Sequence, residues 1–330
     1  MEIKSNQIIL LTGAGFTKNF GGFLGSEMWQ KIFNNPSIQN QERIKRALLE
    51  REDLDFESVY SQVLNGKNFS DEEKNLLKHA VEESYETLDA ATRGWVFNSD
   101  NPTALNIYGL GNLFNLFVGN SNEKGFIFTL NQDIFVERRW GHRTPGVKFS
   151  GNFYATDNRQ PLKRESFAIL PSDNEMSRAY SDIQSMGGLV YIKLHGSYGW
   201  LSASRESQMV IGTDKENDIQ KEPLLRWFFE LFRNVIKEGN RKLVVVGYGF
   251  RDKHINQILL DGVKNYGLKL YIISPSSPYE FKENLRNGHY YAMPLWESLG
   301  GYFSYTLREI FPPDQSRTSH VDEIFRTLRA

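Results

Sequence analysis

The 330-residue chain reads as an α/β protein built on a doubly wound parallel sheet with a helical insertion. Short apolar, β-branched runs at Ile8 to Leu11, Phe126 to Phe128, Val190 to Ile192, Lys242 to Val246 and Leu268 to Ile273 have the character of buried strands. Stretches of helical periodicity separate them, as expected when helices form the crossovers of a parallel sheet. Three of these runs lead into residues that bear chemistry: Gly13-Ala14-Gly15-Phe16-Thr17, Thr129-Leu130-Asn131-Gln132-Asp133 and Leu194-His195-Gly196. Ligands of an open parallel sheet bind outside the carboxyl ends of its strands. The chain order therefore predicts a glycine turn, an Asn/Asp pair and a histidine gathered at one sheet edge.

Taken in order, residues 7–12 form the first strand, and the loop from Gly13 to Gly25 carries five glycines. Ser26 is expected to cap a short helix through Trp29 and Phe33, with Glu27 in its first turn. From Gln41 to about Gly94 the pattern is helical. Ile44, Leu48 and Leu49, then Phe56, Val59, Tyr60 and Val63, recur at three- and four-residue steps. Asp71-Glu72-Glu73 opens another helix with acids at its positive end. A helical insertion over about 41–104 follows from these stripes, and an apolar helix at 104–118 leads into the second strand at 125–130. Gly, Pro, Ser, Asn and Asp dominate between Trp140 and Gly188, so about 141–188 is a loop-rich segment expected to cover the site or face a partner. Pro223 suits the first turn of a helix whose apolar face is Leu224, Leu225, Phe228, Leu231, Phe232 and Ile236. A helix from His254 closes near Gly267, and the chain beyond Pro275 reads as mainly helical, ending in Val321 to Leu328. Residues 1–330 read as one domain.

Composition narrows the function classes. No apolar run approaches the roughly 20 residues that span a bilayer, and the first residues lack the apolar stretch of a signal peptide. A cytoplasmic protein without membrane contact is expected. The net charge of −1 is not the basic excess that marks a nucleic-acid binder. The local basic residues Arg138-Arg139 and Arg159 to Arg164 read as a solvated loop. With no cysteine, disulfides and thiolate zinc sites are excluded. No H-x-x-x-H or H-E-x-x-H spacing occurs, and His79, His142, His254, His289 and His320 lack the strand-end setting of His195. No metal is expected.

Alone, Gly13 to Thr17 reads equally as a phosphate cradle or as an ordinary strand-to-helix turn. It is neither G-x-G-x-x-G, because position 18 is lysine, nor a P-loop. Asn and Asp after a strand are common turn formers, and a lone histidine is more often structural. Asn131, Asp133 and His195 at neighbouring strand ends favour function, and Gly196 would let backbone approach a ligand closely.

In this order the motifs resemble the sirtuin (SIR2) family, whose NAD site combines a GAG-x-S/T loop, a T-x-N-x-D strand end and an HG dipeptide. The resemblance implies a Rossmann-like, sirtuin-type fold that takes NAD+ as substrate. Gly13, Ala14, Gly15, Phe16, Thr17, Asn131, Gly247, Tyr248, Gly249 and Ser274 would bind it. Asn131, Asp133 and His195 would be catalytic: Asn131 orients water or a ribose hydroxyl, His195 takes a proton, and Asp133 orients these groups or offsets positive charge. Three departures set the chain apart from the deacylases. It cannot form their four-cysteine zinc ribbon, Asn19-Phe20-Gly21-Gly22-Phe23 replaces a Pro-Asp-Phe-Arg-like segment, and Ser274 replaces an asparagine. Gly247 to Asn256 and Asp55-Phe56-Glu57 resemble bacterial SIR2-like defence proteins, with Asp252 and Asn256 as helix caps. Trp29, Trp140 and Trp200 are read as packing residues. The resemblance implies an NAD+ hydrolase that depletes NAD in antiviral defence. Its control would come from a homo-oligomer or from a separate sensor, an ATPase or nucleic-acid-guided partner. The alternatives are a non-catalytic NAD or ADP-ribose sensor and an ADP-ribosyltransferase or deacylase.

Overall fold

A computed structural model describes residues 5–95, 104–119, 123–140, 160–177, 181, 188–288 and 292–329. Most of the loop-rich segment expected at about 141–188 lies outside these residues. Six strands, β1 (Ile8–Thr12), β2 (Gly125–Thr129), β4 (Leu189–Lys193), β7 (Lys242–Val246), β8 (Lys269–Ile273) and β9 (Leu299–Phe303), form one sheet in the order β4-β2-β1-β7-β8-β9. Every pairing is parallel. Numbered along the chain within the sheet, this is 3-2-1-4-5-6, the doubly wound dinucleotide-binding order, whose direction reverses between β1 and β7. The chain beyond Pro275 is mainly helical, as expected, and β9 is an unexpected strand within it: Leu299-Gly300-Gly301 carries little strand signal, and pairing with β8 makes the strand. A small sheet of β3 (Ala168–Ile169), β5 (Gly196–Leu201) and β6 (Ser207–Met209) follows His195.

The strands read as continuous apolar runs because both faces are covered. Ile9, Leu11, Phe126, Phe128, Val190, Ile192, Leu243 and Val245 face one core, and Leu10, Ile127, Tyr191, Val244 and Val246 face the other. Against the first lies the helix Pro223–Lys237, which buries Leu224, Leu225, Phe228, Phe229, Leu231, Phe232, Val235 and Ile236. At about 1.5–3 kcal/mol per fully buried large apolar side chain, this face is a principal clamp on the sheet. The second face packs against Ile107–Phe114, Leu307–Ile310 and Ser319–Arg329, together with Phe16 and Phe20.

The helical stretch expected from residue 41 is joined by two helices ahead of it. Gly25–Phe33, Pro36–Gln39, Glu42–Leu49, Phe56–Asn65 and Asp71–Arg93 share a third core that includes Tyr198 from the small sheet and Ile211 just beyond it. Ser26 does not cap Gly25–Phe33. Leu24 occupies the cap position, and its backbone N–H donates to the Glu27 carboxylate at 2.8 Å. The loop after β1 is also shorter than expected, since α1 (Ala14–Lys18) forms within it. Trp29 stacks on Phe33 and donates to the Leu48 carbonyl, and Trp200 is core, as read; the Trp140 side chain lies outside the described atoms. Arg138 is not in a solvated loop. It is buried and makes two 3.0 Å bonds to Asp89.

The turns after β1 and β7 touch backbone to backbone. A Cβ on Gly13 would lie 2.7 Å from the Gly247 oxygen, and one on Gly247, where φ is +69°, would lie 2.1 Å from the Phe16 nitrogen. Gly247→Ala is therefore expected to cost at least about 3 kcal/mol of stability, from left-handed strain and backbone overlap together. Gly249→Ala, whose Cβ meets nothing nearer than 4.0 Å, should stay within about 1 kcal/mol. Urea unfolding of both variants is the measurement, and equal midpoints would disprove the argument.

Candidate active site

The glycine turn, the Asn/Asp pair and the histidine do meet at the carboxyl edge of the sheet. Asn131 is held by β2 through its backbone N–H, which donates to Thr129 Oγ1 at 3.0 Å. Its side-chain amide donates to the Gly13 carbonyl at 2.9 Å and to Thr17 Oγ1 at 2.8 Å. A carbonyl can only accept, so the Asn131 nitrogen must face Gly13. Thr17 passes its own proton to Asp133 Oδ2 at 2.9 Å, and Asp133 Oδ1 accepts the Phe135 N–H at 3.0 Å. Both amide protons of Asn131 are committed within the protein, and Oδ1 is left to accept from a substrate or water. Both Asp133 oxygens hold protein donors. Its observed work is to fix Thr17 and the start of α8 (Phe135–Trp140).

Gln132, which the sequence reading quoted but gave no role, fastens the histidine. Its side chain accepts from the Tyr85 hydroxyl and donates to the Val210 and His195 carbonyls at 2.7 and 3.3 Å. Gly196 does not open space for a ligand. Its φ is +71°, and a Cβ there would lie 1.9 Å from the Gln208 oxygen, so glycine is needed for the small sheet to close.

His195 is buried, and its Nε2 lies 2.8 Å from Nε2 of His254. One ring must donate and the other accept, so the two carry opposite tautomers. This corrects the reading of His254 as a histidine without a setting. The signal was present: Asp252-Lys253-His254 begins the helix Lys253–Tyr266 just past β7, at the same sheet edge. Asp252 sits at that helix's cap position but makes no side-chain cap bond; it accepts from Lys215 Nζ at 2.7 Å. Asn256 does not cap either. It donates to the Phe250 carbonyl and accepts from the Tyr248 hydroxyl. Lys215 also pairs with Glu57 at 2.7 Å, and Asp55 caps the helix that carries Glu57. The Asp55-Phe56-Glu57 motif therefore reaches the site through Lys215.

Burial governs the charges. It lowers His195 well below an ordinary histidine, and Lys215 and His254 add to this against the opposing Asp252 carboxylate. Burial likewise brings His254 down to about 4 despite Asp252. Burial would raise Asp252, but Lys215 and the histidines prevail and hold it at about 2. Burial outweighs Lys215 at Glu57, which is raised. Both histidines are therefore neutral at neutral pH, beside an ionised Asp252.

The remaining sequence-derived residues gather in a second place. Gly247, Tyr248, Gly249 and Ser274 line a cleft of about 130 Å³ beyond β7 and β8, with Ser276 and Asn284. The Gly13–Thr17 turn adjoins it through Gly247.

A SIR2-like domain model matches residues 125–298, just over half of the chain. The chain belongs to the SIR2-like domain family. The matched stretch holds Asn131, Asp133, His195, His254 and the cleft residues, whereas the glycine turn precedes it and is tied to it by Asn131. SIR2-like domains bind NAD+ as substrate, which makes an NAD-related activity the coarse expectation for this chain. A search of the curated proteins finds no match to the chain. No described helix is long and apolar enough to cross a membrane.

Two outcomes are expected. Asp133→Ala leaves the Thr17 hydroxyl and the Phe135 N–H without their acceptor and should cost about 2–3 kcal/mol in urea unfolding. A loss below about 0.5 kcal/mol would show that the carboxylate does not hold this corner. The second concerns acid. A histidine whose folded pKa lies below its unfolded value binds more protons when unfolded. Stability is then full above pH 6.5 and falls as the pH drops towards 4. The slope approaches ~1.4 kcal/mol per pH unit for each such histidine. His254→Gln should flatten it, and parallel slopes for variant and wild type would refute the assignment.

Proposed function

We propose that this SIR2-like protein hydrolyses NAD+ to nicotinamide and ADP-ribose. The observation that carries the reading is the pairing of Asn131, whose side-chain Oδ1 has no partner among the described residues, with a neutral, buried His195 at the ends of neighbouring strands. The residues fit the substrate. Glycines leave bare backbone where the two turns meet, and the adjoining cleft offers the polar side chains of Ser274, Ser276 and Asn284.

Cleavage of the nicotinamide–ribose bond releases a leaving group that becomes neutral as it departs, so no strong general acid is needed. The sugar passes through an oxocarbenium-like state, as in glycoside hydrolysis. Asn131 Oδ1 accepts from the attacking water or from a ribose hydroxyl and orients it. His195, neutral at working pH, takes the proton that the water gives up. Overall, NAD+ and water become nicotinamide, ADP-ribose and one proton. His254 stands at hydrogen-bond distance to share that proton, with the Asp252 carboxylate to balance the charge.

His195→Ala should fold and lose NAD+ cleavage, read by chromatography of the products. Retention of more than about a tenth of the turnover, a loss under ~1.4 kcal/mol, would remove His195 as the base. Asn131→Ala should lose turnover while keeping much of its NAD+ affinity by calorimetry; lost affinity with unchanged single-turnover chemistry would make Asn131 a clamp. Wild-type protein that binds NAD+ but forms no product under any condition would instead be a sensor. We further propose that the activity depletes NAD in antiviral defence and is held low until the chain assembles or meets a sensor partner, because unchecked NAD+ loss harms the cell that makes it. Full activity in a dilute monomer, indifferent to concentration and partners, would exclude that control.

A further inference from the structure

We infer that His195, His254 and Asp252 form a binding site for a zinc-class divalent ion, and that an ion held there switches the enzyme off. One ligand atom from each of the three residues falls within 4.8 Å of the others, and both histidines are buried. The two Nε2 atoms face each other at 2.8 Å. Two ligands around a zinc ion at 2.0–2.1 Å stand roughly 3.0–3.4 Å apart, so the rings need to part by about half an ångström or less. Two imidazoles and one carboxylate suit zinc, cobalt or nickel rather than magnesium or calcium. Three protein ligands leave a coordination position open.

The surroundings favour occupancy. Both imidazoles are buried side by side with their Nε2 atoms facing each other, and a metal that binds them competes only with the proton between them. Asp252 Oδ1 is anchored by Lys215 at 2.7 Å, which orients the carboxylate and leaves Oδ2 for the ion. Repulsion from the Lys215 ammonium is offset by Glu57, which shares it at 2.7 Å. The Gln132 bonds to the His195 and Val210 carbonyls hold the His195 backbone in place while the ring adjusts. On binding, the proton between the two Nε2 atoms moves to Nδ1 of its own ring, so both lone pairs face the ion and no proton is released. His195, protonated at Nδ1 and bound to the ion at Nε2, then has no nitrogen lone pair left to take a proton from water.

The ion site stands apart from the proposed NAD+ hydrolysis, whereas the inhibition rests on it, and the experiment separates the two. Metal-stripped full-length protein is titrated with Zn2+ by calorimetry and with Co2+ by visible absorption. One ion per chain is expected, with affinity at least tenfold weaker in His254→Gln and in Asp252→Asn, each checked for folding by circular dichroism. X-ray absorption of zinc-loaded wild-type protein should show two imidazole nitrogens and a carboxylate oxygen, a test that needs no variant to fold. NAD+ cleavage should fall in step with occupancy and return with EDTA. Absence of stoichiometric binding, a different donor set, or unchanged affinity in folded variants overturns the site. Zinc bound by these ligands without loss of cleavage overturns the switch. Zinc bound in a protein that never cleaves NAD+ upholds the site and removes the hydrolase reading.

Discussion

The contact between the turns after β1 and β7 is the constraint on which the rest of this molecule depends. Gly13 and Gly15 lie against the backbone of Gly247, and Gly15 N–H donates to the Gly247 carbonyl at 2.9 Å. At this point the sheet order reverses, and the chain leaves β1 towards one face and β7 towards the other. Phe16 enters one core and Ile255 the other. Side chains at the three glycines would push the turns apart and open the site from below. The glycines therefore serve the close approach of two protein segments, and the bare backbone this leaves is what makes the same place suitable for a dinucleotide.

Around that contact the polar groups are arranged with little freedom. Donation runs from Asn131 through Thr17 to Asp133, whose other carboxylate oxygen accepts the Phe135 N–H. A buried chain of this kind resists reorientation, because turning one member leaves its neighbours without partners. Below it, Lys193 donates to the Asp133 carbonyl and pairs with Glu137 at 2.8 Å. Glu137 Oε2 has no hydrogen-bond partner among the described residues, and burial raises this acid despite Lys193. Buried pairs contribute little net stability but are costly to break. Their effect here is to tie the end of β4 to the turn after β2 and to the helix that follows it.

Much of this was legible in the chain. Five of the six central strands, the helix opened by Pro223 and the left-handed Gly267 that closes Lys253–Tyr266 follow from local pattern. β9 was not, because Gly300 and Gly301 have no strand preference and the pairing of Gly301 with Tyr271 is a long-range fact. Ser26 has the chemistry of a cap, yet the cap falls two residues earlier, at Leu24, where Glu27 satisfies the backbone N–H. Arg138 looks like a loop residue until Asp89, from the long helix Asp71–Arg93, arrives beside it.

The sequence by itself determined that chemistry-bearing residues end successive buried strands, and a parallel sheet leaves such residues only one edge to share. Hydrophobic run length and glycine placement are local, so they survive without knowledge of the fold. Tertiary structure alone decided which of those residues spend their hydrogen bonds internally, as Asp133 does, and which keep an atom free, as Asn131 does. It also decided that His254, 59 residues beyond His195, stands at hydrogen-bond distance from it. No spacing rule reaches that far, because the two rings follow different strands and meet only once the sheet has formed. The same distance brings Lys215 between Glu57 and Asp252, three segments with no relation in sequence. Chain order determines where the edge is; packing determines what the edge can do.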